Sequence, residues 1–210
     1  MKIRKKALIL SLCAIVLVIT SMFGTIAYLV DDDTVVNTFT VGAVGLKLDE
    51  AKVNKDGSYV TNAENRGIGN EYKLIPGHTY IKDPMVHVDA DSEDCYIFIK
   101  VENGIADIEA ANETDVYRNI AEQIKANGWT AFDNKPGMYY REFYKGATQL
   151  DYLVFDKFKI DGDKVVNAPE VGKYSIADYS NAVIEVTAYA VQKAGFRDNV
   201  EDAWAALDIE

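Results

Sequence analysis

Histidine is scarce in this chain, with two residues among 210. His78 and His87 are not part of a His-Glu-x-x-His pattern, so the zinc-binding helix of many metalloproteases is absent. The sequence also lacks a Gly-x-Ser-x-Gly elbow, a phosphate-binding loop and a dinucleotide fingerprint. We therefore predict a protein that is not an enzyme and that has no resident cofactor.

Cysteine is equally scarce, and the two cysteines lie far apart in the sequence. Cys13 falls in an N-terminal apolar run, so Cys95 is the single thiol of the chain beyond that run. An intramolecular disulfide is thereby excluded from an exported form. Cys95 alternates in step with Ile97 and Ile99, which favours a buried, inert thiol; a reactive or intermolecular thiol is the alternative.

Acidic residues are missing before Asp31, whereas four basic residues precede residue 7. Residues 7–30 between them are uncharged, and a basic start followed by an apolar run is typical of an export signal. Small residues suit cleavage after Ala27, with Thr25 at position −3 and Tyr28 as the first mature residue. The alternative is an uncleaved membrane anchor; in both cases the rest of the chain is exported.

The net charge of −11 becomes −15 when the four basic residues leave with residues 1–27. Such an acidic protein repels nucleic acid and anionic lipid, so we expect no nucleic-acid partner and no membrane contact except through the uncleaved signal. An apolar content of 49%, with 13 Tyr and 8 Phe, excludes disorder. Residues 28–210 are long enough for one domain with a substantial core.

Alternation of apolar and polar residues predicts a β-rich fold. An early strand places Val35, Asn37, Phe39 and Val41 on one face, and the facing changes at Gly42. Turn signals follow at residues 54–57, 76–77 and 161–163. Further strand-like runs occupy residues 85–90, 95–102, 138–144, 152–160 and 182–192.

Two stretches have helical periodicity instead. Residues 114–128 have an apolar residue every fourth position, and Thr114 is the predicted N-cap. Near the C-terminus, residues 200–207 form an apolar stripe preceded by a capping-box-like pair, Asp198 and Glu201. The sequence thus predicts an immunoglobulin-like or jelly-roll β-sandwich with two short helical insertions.

One predicted strand carries a group of candidate metal ligands. His87, Asp89 and Asp91 alternate on one strand face, where they could meet a cation. A solvated strand face and a weak cation site both fit this spacing. The acidic turn departs from the EF-hand pattern, so we predict no metal site beyond a loose interaction with calcium.

An aromatic group could form a glycan or peptide groove, although core packing together with a strand face is the favoured interpretation. Its members are Trp129, Phe132, Tyr139, Tyr140, Phe143 and Tyr144.

The N-terminal region resembles the start of the TasA/camelysin family of exported bacterial proteins. The resemblance lies in Gly-Thr-Ile-Ala at residues 24–27, the acidic run at residues 31–33, and Asn-Thr-Phe at residues 37–39. Residues 74–84 and 186–207 are similar to later parts of a clostridial-type branch. The resemblance implies a β-sandwich, processing by a SipW-type signal peptidase, secretion, and subunits that build biofilm matrix fibres. Camelysin is classed as a metallo-endopeptidase, but the zinc motif is missing here.

These observations support one main hypothesis and two alternatives. The main hypothesis is a secreted structural subunit of extracellular matrix fibres, in which residues 28–41 form a mobile donor arm that pairs with another copy of the chain. The first alternative is a camelysin-like metallo-endopeptidase that uses His78 and His87. The second is a monomeric surface adhesin whose aromatic group binds a ligand.

Overall fold

The structure is a computed structural model, and it describes residues 44–60, 64–113, 116–133, 135–166, 172–196 and 199–207. All of these residues belong to one compact unit. The predicted signal peptide and the predicted donor arm lie outside the described residues.

Two antiparallel four-stranded sheets form the framework. The first sheet has the order β2-β1-β4-β8, and the second has the order β12-β5-β7-β6. The strands of the first sheet are β1 (Leu46–Ala51), β2 (Arg66–Gly67), β4 (Met85–Val88) and β8 (Asp151–Leu153). The strands of the second sheet are β5 (Cys95–Asn103), β6 (Thr130–Ala131), β7 (Met138–Phe143) and β12 (Ile184–Gln192).

Smaller elements complete the domain. A two-stranded antiparallel sheet pairs β3 (Thr79–Ile81) with β9 (Lys157–Lys159), and a parallel pair joins β10 (Val165–Val166) to β11 (Tyr174–Ser175). The described helices are α1 (Ile120–Ala126) and α2 (Val200–Ala205). The predicted fold class, a mainly β sandwich with two short helices, is confirmed.

The central strand β5 is buried on both faces. Cys95, Ile97 and Ile99 point into the main core, which also receives side chains from β4 and β8 of the first sheet. Tyr96 and Phe98 point to the opposite face, where α2 covers them. We call that second group the outer cluster; it comprises Tyr96, Phe98, Phe132, Met138, Ala203 and Trp204.

The predicted strand at residues 152–160 is wrong as a single element. The chain leaves β8 after Leu153 and enters β9 at Lys157, and these two strands pair with different sheets. Between them, Val154 donates its N–H to the carbonyl of Pro84 at 2.9 Å. The sequence gives no sign of this change of sheet, because the connecting residues Val154 and Phe155 are also apolar and fully buried.

Helix α1 begins later than the sequence pattern suggested, and the N-cap of each helix differs from the predicted one. Helix α1 starts at Ile120, and its N-cap is Asn119, whose side chain accepts a hydrogen bond from the N–H of Glu122. The predicted cap Thr114 is therefore wrong. The cap of α2 is Asn199, whose side chain accepts from Glu201 and Asp202, rather than Asp198. Asparagine is among the strongest N-caps, and each one lies immediately before an apolar helical residue.

The predicted turns are confirmed. Asn54 accepts a hydrogen bond from the N–H of Gly57, which has a φ of +81°. A Cβ at Gly57 would lie 2.7 Å from the Cα of Tyr80. Only glycine fits this turn, because both the backbone conformation and the close approach of β3 exclude a side chain.

Candidate functional site: an open sheet edge and a buried ionic network

Strand β12 is the longest strand at an edge of either four-stranded sheet. All nine of its residues pair with β5, from Ile184 opposite Asn103 to Gln192 opposite Cys95. Along its other side no strand pairs with it within the described part of the chain. The other terminal strands of the two sheets have only two or three residues. A long unpaired edge presents a row of backbone donors and acceptors to any incoming strand.

The side chains of β12 do not protect this edge. Ile184, Ala188 and Ala190 pack against the main core, and Tyr189 and Val191 pack against the outer cluster. The only charged residue of the strand is Glu185, and the strand contains neither lysine nor proline. Lysine, proline and inward-pointing charges are the usual protection of edge strands.

The described part of the chain begins just before β1. Strand β1 lies beside β12 without pairing with it. Just before β1, Val44 is buried and Gly45 donates its N–H to Ser92 Oγ at 3.0 Å. A Cβ on Gly45 would lie 1.9 Å from Asp89 Oδ2, so a larger residue here would require the Asp89 side chain to move.

The residues predicted for processing and donation lie N-terminal to β1, outside the described residues. They are the cleavage residues Thr25, Ala27 and Tyr28, and the arm residues Val35, Asn37, Phe39 and Val41.

His87 lies between two carboxylates from neighbouring strands. Its Nδ1 is 2.7 Å from Asp151 Oδ1, and its Nε2 is 3.0 Å from Asp49 Oδ1. The alternation in the sequence predicts instead that His87 shares a strand face with Asp89 and Asp91. Strand β4 ends at Val88, and Asp89 and Asp91 belong to the segment that follows it. Cross-strand neighbours cannot be read from one strand alone, which is why Asp49 and Asp151 were missed.

The two histidines have separate partners. His78 Nε2 is 2.8 Å from the carbonyl oxygen of Asp56, and its ring packs edge-on against Tyr80. Within the described ranges, no group of three or more His, Cys, Asp or Glu side chains is arranged to bind a metal ion.

Asp49 is the centre of a buried ionic network on the first sheet. The side chain of Arg66 connects two carboxylates, with Nε 2.5 Å from Asp49 Oδ1 and Nη1 2.8 Å from Asp83 Oδ2. Lys47 Nζ is 2.7 Å from Asp49 Oδ2. Burial raises the pKa of Asp49, but hydrogen bonds from Lys47, Arg66 and His87 outweigh burial and lower it to about 2.

We expect this network to make the domain sensitive to acid. Because the pKa of Asp49 is lower in the folded chain, about 2 against 3.8, its contribution of about 2 kcal/mol is complete above pH 3.8. The contribution is lost as the pH falls from 3.8 through about 2. Denaturant unfolding of the wild type and of Asp49→Asn over this pH range measures it. The wild type should lose stability more steeply than the variant; parallel pH profiles would contradict the prediction.

A second charged group lies on the other side of β1. Glu50 accepts a hydrogen bond from Lys82 Nζ at 2.6 Å and another from Asn70 Nδ2 at 2.9 Å. Glu50 and Lys82 are 5% and 8% exposed. Lysine and glutamate are rarely buried this deeply, so sequence reasoning gave no signal for this group.

Glu109 is a third buried carboxylate, and it holds the start of α1. It accepts hydrogen bonds from the Tyr117 hydroxyl at 2.7 Å, the Ile120 N–H at 2.8 Å and Asn103 Nδ2 at 2.9 Å. Burial raises the pKa of Glu109, although these hydrogen bonds act in the opposite direction. An open groove of about 400 Å³ lies beside α1, with Tyr117, Arg118 and Asn127 among its lining residues.

Most of the predicted aromatic group belongs to the core. Trp129 is 2% exposed and donates its Nε1–H to the Leu153 carbonyl at 2.8 Å, so its ring presents no face to a ligand. Tyr139 and Phe143 belong to the main core, whereas Phe132 and Tyr140 contribute to the outer cluster. The exposed member is Tyr144.

The expectation of a buried thiol at Cys95 is confirmed. Its side chain is fully buried. Burial raises the pKa of the Cys95 thiol to about 12, and the neighbouring charge of Asp94 adds to the effect.

Comparisons with protein-family models, with curated proteins and with solved structures found no match to this chain. Among the described residues, no helix is long and apolar enough to cross a membrane.

Proposed function

We propose that this chain is a secreted structural subunit of extracellular matrix fibres. After cleavage by a SipW-type signal peptidase, residues 28–41 of one copy pair with the open edge of β12 in the next copy. The observation that carries the proposal is the nine-residue edge of β12, which has no strand partner among the described residues. The resemblance of residues 24–48 to the TasA/camelysin family supports the same function.

The predicted arm has the alternation expected of a strand that adds to a sheet edge. Val35, Phe39 and Val41 share one strand face. Each such side chain contributes about 1.5–3 kcal/mol when fully buried, before the cost of ordering the arm. Backbone pairing adds further hydrogen bonds, as in other strand-addition complexes.

Donation from one copy to the next uses two different surfaces, the arm and the edge. Such a heterologous contact does not close on itself, so repeated donation produces an open filament. The described part of the chain begins just before β1, which lies close to β12, and the predicted arm precedes it in sequence. The net charge of −15 for residues 28–210 opposes random association and makes assembly sensitive to salt.

The test compares substitutions on opposite faces of the arm. We expect Phe39→Asp in the mature chain to abolish filaments, because it places a charge on the face predicted to be buried. Thr38→Asp is the matched control on the other face, and it should retain filaments. Negative-stain microscopy and light scattering measure both outcomes. Filaments of wild-type appearance formed by Phe39→Asp, and also by a chain lacking residues 28–41, would refute arm donation.

The acceptor is tested on the monomeric Phe39→Asp chain with a synthetic peptide of residues 28–41. Amide hydrogen exchange should slow in Ile184–Gln192 when the wild-type peptide is added. The same peptide carrying Phe39→Asp should leave that exchange unchanged. Protection confined to another strand would show that β12 is not the acceptor.

A further inference from the structure

One buried carboxylate lies between a buried amine and a half-buried amide. Glu50 Oε2 is 2.6 Å from Lys82 Nζ, and Glu50 Oε1 is 2.9 Å from Asn70 Nδ2. The side chains of Lys82 and Glu50 are 10% and 6% exposed. The three residues come from different places: Glu50 from β1, Asn70 from the segment after β2, and Lys82 from the residue that follows β3.

The amide of Asn70 is fixed and polarised by the backbone. Its Oδ1 accepts a hydrogen bond from the Val53 N–H at 3.1 Å. Its Nδ2 donates to the Ala51 carbonyl at 2.8 Å as well as to Glu50. A donor on the carbonyl oxygen stabilises the negative charge that develops there when a nucleophile attacks the adjacent carbon.

Tyr72 lies beside the group, where it interacts with Glu50 and Asn70. Its hydroxyl donates to the Ile81 carbonyl at 3.0 Å, and its ring packs edge-on against Tyr80 and Phe158. Burial raises the pKa of Tyr72, and the charge of Glu50 raises it further. Tyr72 therefore stays neutral and supplies an apolar wall beside the carboxylate.

We propose that Lys82 and Asn70 form an intramolecular isopeptide bond, with Glu50 as the proton relay. Glu50 takes a proton from the Lys82 ammonium, and the resulting amine attacks Cγ of Asn70. Glu50 then passes the proton to the leaving nitrogen, the Cγ–Nδ2 bond breaks, and a second proton from the Lys82 nitrogen leaves with it. The products are a secondary amide, one ammonium ion and the regenerated Glu50 carboxylate. The reaction needs no oxidant and no cofactor.

This bond gives the domain a covalent closure that disulfides cannot provide, because Cys95 is the only cysteine among the described residues. It closes the segment from Asn70 to Lys82, which contains the turn at Pro76 and Gly77. The neighbouring pair of Arg66 and Asp83 is buried to a similar degree, but it offers no primary amine and no amide to join.

Mass spectrometry of the exported protein tests the proposal. The intact protein should be lighter than its mature sequence by the mass of one ammonia molecule. Trypsin should fail to cleave after Lys82, which leaves a branched peptide joining residues 67–73 to residues 74–100. A folded protein of full mass that releases separate peptides 74–82 and 83–100 would overturn the proposal. This result requires no variant, and it is independent of whether filaments form.

Single substitutions test the roles proposed for Lys82 and Glu50. Lys82→Arg keeps the charge beside Glu50 but cannot form the amide, so it should restore the full mass. Glu50→Gln removes the proton relay and should restore it too. The exposed pair Lys55 and Glu71, 2.8 Å apart, supplies the control: Glu71→Gln should leave the branched peptide intact. A branched peptide that persists in folded Glu50→Gln would refute the role of Glu50.

Discussion

Replacing Arg66 by alanine is expected to destabilise the domain by about 3–5 kcal/mol, because it leaves two buried carboxylates without their shared partner. The guanidinium donates to Asp49 and Asp83 side chains and also to both of their carbonyl oxygens. Asp83 accepts a further hydrogen bond from the Ala51 N–H at 2.7 Å, so this carboxylate cannot turn towards solvent without breaking a contact to β1.

Chemical denaturation at neutral pH measures this loss. Arg66→Lys should recover part of the stability, because lysine restores the charge but cannot contact both carboxylates with the planar fork of arginine. Lys55→Ala removes one member of an exposed ion pair and should leave stability almost unchanged, because water screens the pair. If Arg66→Ala and Lys55→Ala had equal effects, the buried network would contribute nothing to stability.

Trp204→Ala should cost about 3–5 kcal/mol, the usual range for removing a large buried aromatic side chain. Trp204 is 7% exposed and packs its ring against Phe98, Phe132 and Tyr189 at centroid distances of 5.2–6.2 Å. The indole is the main contact of α2 with the second sheet. Its removal uncovers the outer face of β5, so the variant should also bind a hydrophobic dye.

The chain contains two tryptophans, so Trp129 remains as a fluorescence reporter in the Trp204→Ala variant. Trp204→Phe should lose less stability, because it keeps an aromatic ring in the outer cluster. Val116→Ala is the control for loss of apolar area, since Val116 is 72% exposed and should change stability by less than about 0.5 kcal/mol. Similar losses for Trp204→Ala and Val116→Ala would show that α2 is not held by its tryptophan.

The parts of the fold that follow from local alternation were predictable. Strands β5, β7 and β12 lie within one or two residues of the predicted bounds, because their side chains alternate between two apolar environments. The second apolar environment, beneath α2, could not be predicted, because it exists only where the helix packs against the second sheet. The helical periodicity predicts the apolar stripe that contains Trp204, but it does not indicate which face of which sheet this stripe covers.

The buried charges could not be predicted from the sequence. Asp49, Glu50, Lys82 and Asp83 are all less than 9% exposed, although each residue type is normally found at the surface. Their partners lie up to 38 residues away along the chain. Pairing of β1 with β2 and β4 brings them together, and no local pattern encodes that pairing.

The burial of Cys95 has a practical consequence for following this molecule over time. A thiol reagent reaches this sulfur only after the sandwich opens, since the thiol is fully enclosed and its pKa is raised to about 12. Residues 28–210 contain one thiol, so the rate at which a reagent labels this chain measures the rate at which the folded domain opens. In the proposed fibre, the same labelling would compare the opening rates of assembled and free subunits.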